Sequence, residues 1–215
     1  MNTKYTVATA MREVGNLGKP SKMPGFSYSV PAQECKTGSK LVKVKGSVCY
    51  NCYALKGNYI RFPHVGKALY NRLDLVENNP KWQGAMVFLI NWYAKKTTHF
   101  RWHDSGDIQS VKHLTKIVEV CKLTPNVMHW LPTREAKMVK EYLKDYGKFP
   151  SNLIVRVSAT MVDGAPHKFH EHTSTVVTKK TSKSYTCPAP TQGNECKDCR
   201  ACWDKRVSNV AYLEH

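Results

Sequence analysis

The sequence predicts an α/β fold: a partial, open βα barrel with parallel strands, plus a cysteine-rich irregular C-terminal module. Three observations carry this prediction. Strand-like and helix-like segments alternate at steps of roughly 25–30 residues through the middle of the chain, the pattern of βαβ units on a parallel sheet. The strand candidates are apolar and rich in β-branched or aromatic residues, as strands covered on both faces must be. About four or five of them precede residue 160, too few to close an eight-stranded barrel. A flat doubly wound sheet is the alternative, and in either case the chemistry belongs at the C-terminal ends of the strands.

The elements follow in order. "FSYSVPA" (26–32) alternates like a short strand and ends at a proline. A long loop rich in Gly, Lys and Ser follows, holding Cys35, Cys49 and Cys52. "HVGKALYNRLDLVENNP" sets Val65, Leu69, Leu73 and Val76 on one helical face and stops at a proline. "KWQGAMVFLINWYAKK" is an apolar helix, and "HFRWHDSGD" is a strand running into a turn. "IQSVKHLTKIVEVCKL" places Val111, Leu114, Ile117, Val118 and Cys121 on one helical face. "NVMHWLPT" is a strand, "REAKMVKEYLKDYG" an amphipathic helix closed by Gly147, and "NLIVRVSAT" a buried strand. Beyond residue 160 the pattern breaks into a polar, His-rich stretch and then "TCPAPTQGNECKDCRACWDKR". The organisation expected is therefore a partial barrel over 1–160, with its cysteine loop at 35–52, and a cysteine-rich module over 161–215 packed on it. There are no internal repeats.

Composition narrows the function. Lysine and arginine number 33 against 16 acids, a net charge of +17. Residues 1–60 carry nine basic residues and two acids, Glu13 and Glu34, so the charge is spread and not confined to a tail. Such a field attracts polyanions, nucleic acid first, although no nucleic-acid fold motif accompanies it; plain solubility is the competing explanation. No apolar run approaches 18 residues, and the start "MNTKYTVATAMREV" lacks an apolar signal region, so an intracellular protein with no membrane partner is expected. A chain of this length buries roughly 70% of its unfolded surface and needs no staple to have a core. In a reducing cytosol, close-spaced cysteines are metal ligands more often than disulfides.

Eight cysteines divide into two sets and one outlier. Cys196, Cys199 and Cys202 follow one another at two-residue gaps, with Cys187-Pro188 upstream, the arrangement iron–sulfur ferredoxins use. Four cysteines also satisfy tetrahedral zinc, but zinc sites usually pair two separated clasps. Cys35, Cys49 and Cys52 number three, which would leave one iron of a [4Fe-4S] cluster open to a small molecule; alternatively a C-terminal cysteine supplies the fourth ligand to one shared cluster or zinc site. One or two clusters are thus expected. Cys121 lies on the apolar stripe of its helix, where a structural thiol is expected.

His103, Asp104, Ser105, Gly106 and Asp107 follow a strand directly. Two carboxylates, an imidazole and a glycine turn at a strand's C-terminal end form a site composition suited to an ammonium group, a ribose or a metal. His103, Asp104 and Asp107 are the catalytic candidates, with Ser105 and Gly106 beside them as binding residues; capping of the next helix by Asp107 or Ser105 is also expected. Arg156 and Ser158 share one strand face, and a buried Arg156 needs a partner, for which Asp104 or Asp107 is the natural choice. His167, His170 and His172 fit no ligand spacing well and are read as a solvated loop.

"MPGFSYSVPAQECK", "VCYNCYALKG", "FRWHDSGDIQS" and "CPAP…CKDCRACW" together resemble the phage gene-product-88-like proteins over residues 15–205. That resemblance implies a phage-encoded protein of iron–sulfur type, acting in the cytoplasm of an infected cell. The arrangement is also distantly similar to radical S-adenosylmethionine (SAM) enzymes, which would place the cluster on Cys35, Cys49 and Cys52, the methionine amine near His103–Asp107 and the nucleoside near Ser158. The loop departs from theirs: its first gap is long, Asn51 precedes the last cysteine, and the glycine-rich amine motif is missing. The functions weighed are a redox or radical enzyme with a small-molecule substrate or redox partner, a one-cluster electron carrier or sensor, and a basic zinc protein that binds nucleic acid.

Overall fold

A computed structural model describes residues 5–214. The expected 1–160 and 161–215 spans therefore include residues 1–4 and 215, which lie outside the described residues. The chain opens with α1 (Val7–Val14), whose N-terminus carries a Thr6–Thr9 capping box and whose C-terminus turns through Gly15 in the left-handed region. After β1 (Phe26–Tyr28) comes the cysteine loop, with two single-turn helices, α2 (Gly38–Leu41) and α3 (Asn58–Arg61). Then follow α4 (Pro63–Asn78), started by its proline, α5 (Trp82–Tyr93), β2 (His99–Trp102), α6 (Val111–Lys122), β3 (Met128–Thr133), α7 (Ala136–Tyr146) and β4 (Leu153–Ser158). The C-terminal region adds β5 (Thr173–Val177), β6 (Tyr185–Thr186) and β7 (Asn209–Leu213).

The seven strands form one sheet, parallel throughout, in the order β1-β2-β3-β4-β5-β7-β6. From β1 to β5 each strand joins on the same side of the last. Right-handed crossovers repeated in one direction put every connecting helix on one face. This is an open sheet with the strand order of an unclosed βα barrel, and the reversal that defines a doubly wound sheet is missing from β1–β5. The main core lies between sheet and helices, with Tyr28, Trp82, Met86, Trp102, Leu114, Ile117 and Leu131 all at 0% exposure. Along β2, β3 and β4 the alternate residues Arg101, Trp130, Arg156 and Ser158 point to the other face. There a second, smaller core forms from Trp130, Ala201, Cys202, Trp203 and Val210.

Two expectations are corrected here. The region past residue 160 is not irregular throughout, because it supplies three strands that continue the same sheet. Its strands hide their character behind hydroxyl and amide side chains. Thr173 Oγ1 donates to Asn209 Oδ1 at 2.8 Å, Asn209 Nδ2 donates to Thr175 Oγ1 at 3.0 Å, and the Ser158 and Ser174 hydroxyls meet at 2.8 Å. These pairs satisfy buried polar groups that a polarity pattern reads as loop. Secondly, α6 is capped by neither Asp107 nor Ser105: the Ser110 hydroxyl accepts from the His113 N–H at 3.1 Å.

Candidate functional site

The loops leaving the C-terminal ends of the parallel strands meet around a cavity of about 820 Å³. Its wall brings together Cys35, Cys49 and Cys52 from the loop after β1, Arg101 and His103–Asp107 from β2 and its turn, Trp130 from β3 and Arg134 just past it. Ser158, Ser174 and Tyr212 complete it from β4, β5 and β7. A second cavity, of about 470 Å³, opens among His99, Met128, Arg200 and Trp203 and contains no cysteine.

The cysteine loop is tied down at several points. Glu135, just past β3, accepts from both the N–H and the hydroxyl of Thr37, at 2.7 and 2.8 Å. The Val48 N–H donates to Thr160 O at 2.9 Å, and the Val162 N–H donates to Gly46 O at 3.0 Å, so the loop is held against the β4–β5 connection. Gly38 leaves the space the thiols use: a Cβ there would stand 2.9 Å from Cys35 Cβ and 3.7 Å from the sulfurs of both Cys35 and Cys49. Burial, then Asp107 and the neighbouring thiols Cys52 and Cys49, push the Cys35 thiol far up. Burial also raises Cys49, against which the Arg134 guanidinium pulls down. With Cys35 and Cys49 both pushed up, cationic compensation is needed for them to become thiolates together.

The C-terminal set is built separately. The Cys187 N–H donates to Ala211 O and the Cys196 N–H to Lys22 O, both at 2.8 Å, while the Cys199 N–H closes a tight turn onto Cys196 O. Tyr185 and Tyr212 hydroxyls lie 3.3 and 3.1 Å from the sulfurs of Cys199 and Cys202. Burial pushes the Cys202 thiol up to about 12. The thiol neighbours that shift Cys187, Cys196 and Cys202 all belong to this set, and those that shift Cys35 and Cys49 all belong to the other. Among the described residues no group of three or more His, Cys, Asp or Glu side chains is arranged to hold a single metal ion. Cys35, Cys49 and Cys52 on the cavity wall, and Cys187, Cys196, Cys199 and Cys202 in the C-terminal segment, are the two sets of thiols that could hold a metal group. Cys121 is fully buried within the main core, away from both sets.

The turn after β2 divides its labour. Asp107 is 5% exposed and accepts from Thr133 Oγ1 at 2.6 Å and from the Arg134 and Ile108 N–H groups at 2.8 Å each. Burial raises its carboxyl to about 6 despite these bonds. With both oxygens engaged, Asp107 fixes the end of β3 and acts as a positioning residue. Asp104 is held through Oδ1 by the Ser29 hydroxyl and through Oδ2 by Tyr59 at 3.2 Å, and its carbonyl accepts from Tyr53. His103 sits at φ 57°, is 3% exposed, and has no partner for either ring nitrogen. Burial, with His113 and Arg101 nearby, holds its imidazole neutral, well below the usual histidine range. Ser105 donates to Val30 O at 3.3 Å. Gly106 is at φ +77°, and a Cβ there would meet Val30 O at 2.4 Å, so only glycine lets the turn close onto the loop after β1.

Arg156 corrects the expected pairing with Asp104 or Asp107. It is 0% exposed, and its five hydrogen bonds run to the carbonyls of Cys202, Thr173, Ser208, Ala201 and Asp204. It clamps the C-terminal segment onto the sheet, while Ser158 does reach the cavity. His170 and His172 are bonded to the Val155 and Lys205 carbonyls at 2.8 and 2.9 Å. Sequence reasoning missed Arg101, Arg134, Tyr53, Trp130, Glu135 and Tyr212. The signal for Arg101 was present in its period-two position beside Phe100 and Trp102, which put it on the opposite face of β2.

A family model described as Gene product 88 matches residues 2–205. No curated protein and no solved structure matches the chain.

Proposed function

The chain belongs to the gene product 88 family, and we propose that it is an iron–sulfur protein, acting in the cytoplasm of a phage-infected cell, with a redox or radical-type reaction in the cavity at the strand ends. The observation that carries this reading is the convergence of Cys35, Cys49 and Cys52 on the cavity wall. Their nearest thiol neighbours lie within their own set of three. The Gly38 space and the thiols fit a cluster on Cys35, Cys49 and Cys52, and Cys187, Cys196, Cys199 and Cys202 offer four thiols to a second. An iron–sulfur cluster supplies one-electron chemistry, and three protein ligands leave one iron of a [4Fe-4S] cluster for a small molecule. Asp104 presents a carboxylate fixed by Ser29 and Tyr59 beside that wall, suited to orienting a cationic or hydroxyl group. Asp107 and Glu135 hold the β3 end and the cysteine loop in register.

Anaerobic purification with iron and sulfide counts tests the reading. Brown protein containing both is expected, and Cys49→Ser should lower the counts. Colourless protein containing zinc would support the basic zinc-protein alternative. For the cavity's chemistry, reduced protein mixed with SAM should change its electron paramagnetic resonance spectrum and release 5′-deoxyadenosine. Asp104→Asn should weaken that response at unchanged iron content. An unchanged spectrum with iron present removes SAM and leaves an electron carrier or an enzyme using another ligand.

A further inference from the structure

Two arginines face the cavity with a buried Nε unmet and no direct ion pair, although Tyr53 and Asp104 favour the charge of Arg101 and Arg134 favours the thiolate of Cys49. The Arg101 guanidinium lies 4.5 Å from the Trp130 ring centroid, and its hydrogen bond goes to the Met23 sulfur at 3.6 Å, leaving Nε buried and unpaired. The Arg134 backbone N–H is bonded to Asp107, but its buried Nε is also unpaired, and its guanidinium makes no ion pair or hydrogen bond among the described residues. The acids nearby are engaged: Asp104 by Ser29 and Tyr59, Asp107 by Thr133 and two backbone N–H groups, Glu135 by Thr37. Buried guanidinium donors left without an acceptor are costly, and an anion from outside supplies the acceptors. His103 borders the same cavity, but its ring nitrogens are buried and its imidazole packs against His113 of α6 at 5.3 Å between ring centroids. Trp130 is the register partner of Arg101, and Arg134 lies four residues further along, so Arg134 sits about 13 Å beyond Arg101 in the strand direction at 3.3 Å per residue. Long side chains from both ends span a cavity of about 820 Å³, the size that encloses a small organic molecule.

We propose that this cavity binds a small organic anion, its carboxylate or phosphate groups held by the guanidinium groups of Arg101 and Arg134. Planar guanidinium forks match both oxyanions in bidentate geometry. The proposal rests on reading this cavity as the functional site and names the substrate class for it.

Isothermal titration calorimetry of the full chain with citrate and with pyrophosphate as probes tests it. In about 0.15 M salt the Debye length is about 8 Å, so diffuse surface charge is screened. Saturable one-to-one binding of at least one probe is expected. Arg101→Gln and Arg134→Gln should each weaken it about 10–100-fold, the range of a lost charge-assisted hydrogen bond. Arg61→Gln, which alters an exposed arginine outside the cavity, should leave it unchanged. Arg101→Lys keeps the charge and loses the fork, and should weaken binding less than Arg101→Gln; it carries the test with Arg134→Gln if Arg101→Gln does not fold. Lack of saturable binding by both probes overturns the proposal. So does equal weakening in Arg61→Gln, or an Arg134→Gln variant that loses iron while keeping its anion affinity. Iron and sulfide counts on the same samples separate the two readings, since binding without iron upholds the anion site and sinks the cluster, and iron without binding does the reverse.

Discussion

Replacing Arg156 with methionine keeps most of the buried stem and removes the fork. Three of its five acceptors, the carbonyls of Cys202, Thr173 and Ala201, are bonded in fully buried surroundings, and the other two are partly buried. An unsatisfied buried acceptor costs about 1–3 kcal/mol, so three cost about 3–9 kcal/mol before relaxation. Burial also lowers the Arg156 pKa, a sign that the charge itself is disfavoured there, and its removal returns part of the loss. Water entering by the part-buried Ser208 and Asp204 carbonyls returns more. The net expectation is about 3–5 kcal/mol, a large share of the 5–15 kcal/mol by which domains are stable. Four of the five carbonyls belong to residues 201–208, so the loss should be local. Urea unfolding gives the magnitude, and hydrogen exchange should show lost amide protection around 201–208 and less at β1–β3. Arg156→Lys should fall between, because an ammonium cannot span the same acceptors. A loss under about 1 kcal/mol with protection at 201–208 unchanged would refute the clamp.

Three further outcomes follow from the geometry. Cys199→Ser should lower the iron count while leaving part of the visible absorbance, as two separate thiol sets require; complete loss would point to one shared cluster. Burial holds His129 neutral, pushed down to about 3, with Nε2 2.8 Å from the Thr124 hydroxyl. An unfolded histidine titrates near 6.5, so the unfolded chain takes up the proton first, and stability present above about pH 6.5 drains away toward pH 3. At pH 4.5 this single site costs on the order of 3 kcal/mol, and urea midpoints of His129→Gln should show a correspondingly shallower decline between pH 7 and 4.5. If the charge of +17 serves nucleic acid, retention on DNA or RNA should weaken steeply with salt, and no retention at low salt would assign that charge to solubility.

Apolar periodicity made the first four strands and the four long helices legible. Leu114, Ile117 and Val118 mark one stripe of α6, and Phe100 and Trp102 one face of β2, because each buries that face in the main core. The same signal failed for β5 and β7, where buried Thr173, Thr175 and Asn209 satisfy one another across the sheet and buried Ser174 pairs with Ser158. A pattern of polar residues records what each side chain is, not whether a neighbour seventeen or thirty-six residues away will bond it, as Thr173 O and Thr173 Oγ1 are bonded by Arg156 and Asn209. The helix cap went to Ser110 in place of Asp107 for the related reason that Asp107 had a stronger long-range use at the end of β3.

The site was legible in its loops more than in its charges. Parallel strands deliver their following loops to one end, so the positions of Cys35–Cys52 and His103–Asp107 after two strands were enough to bring them together. Direction alone says nothing of which side chains stay unpaired there. Arg156 and Arg101 look alike in sequence, each a single arginine inside an apolar strand. One spends its guanidinium on five backbone carbonyls, and the other keeps a buried Nε without a partner above Trp130. The difference comes from the C-terminal segment: residues 201–208 pass over Arg156 and fill its fork, while Tyr212 and Cys202 border Arg101 without giving it a carbonyl. The segment that closes one arginine into the core thus leaves the other facing the cavity. That division makes Arg156 a question of stability and Arg101 a question of binding.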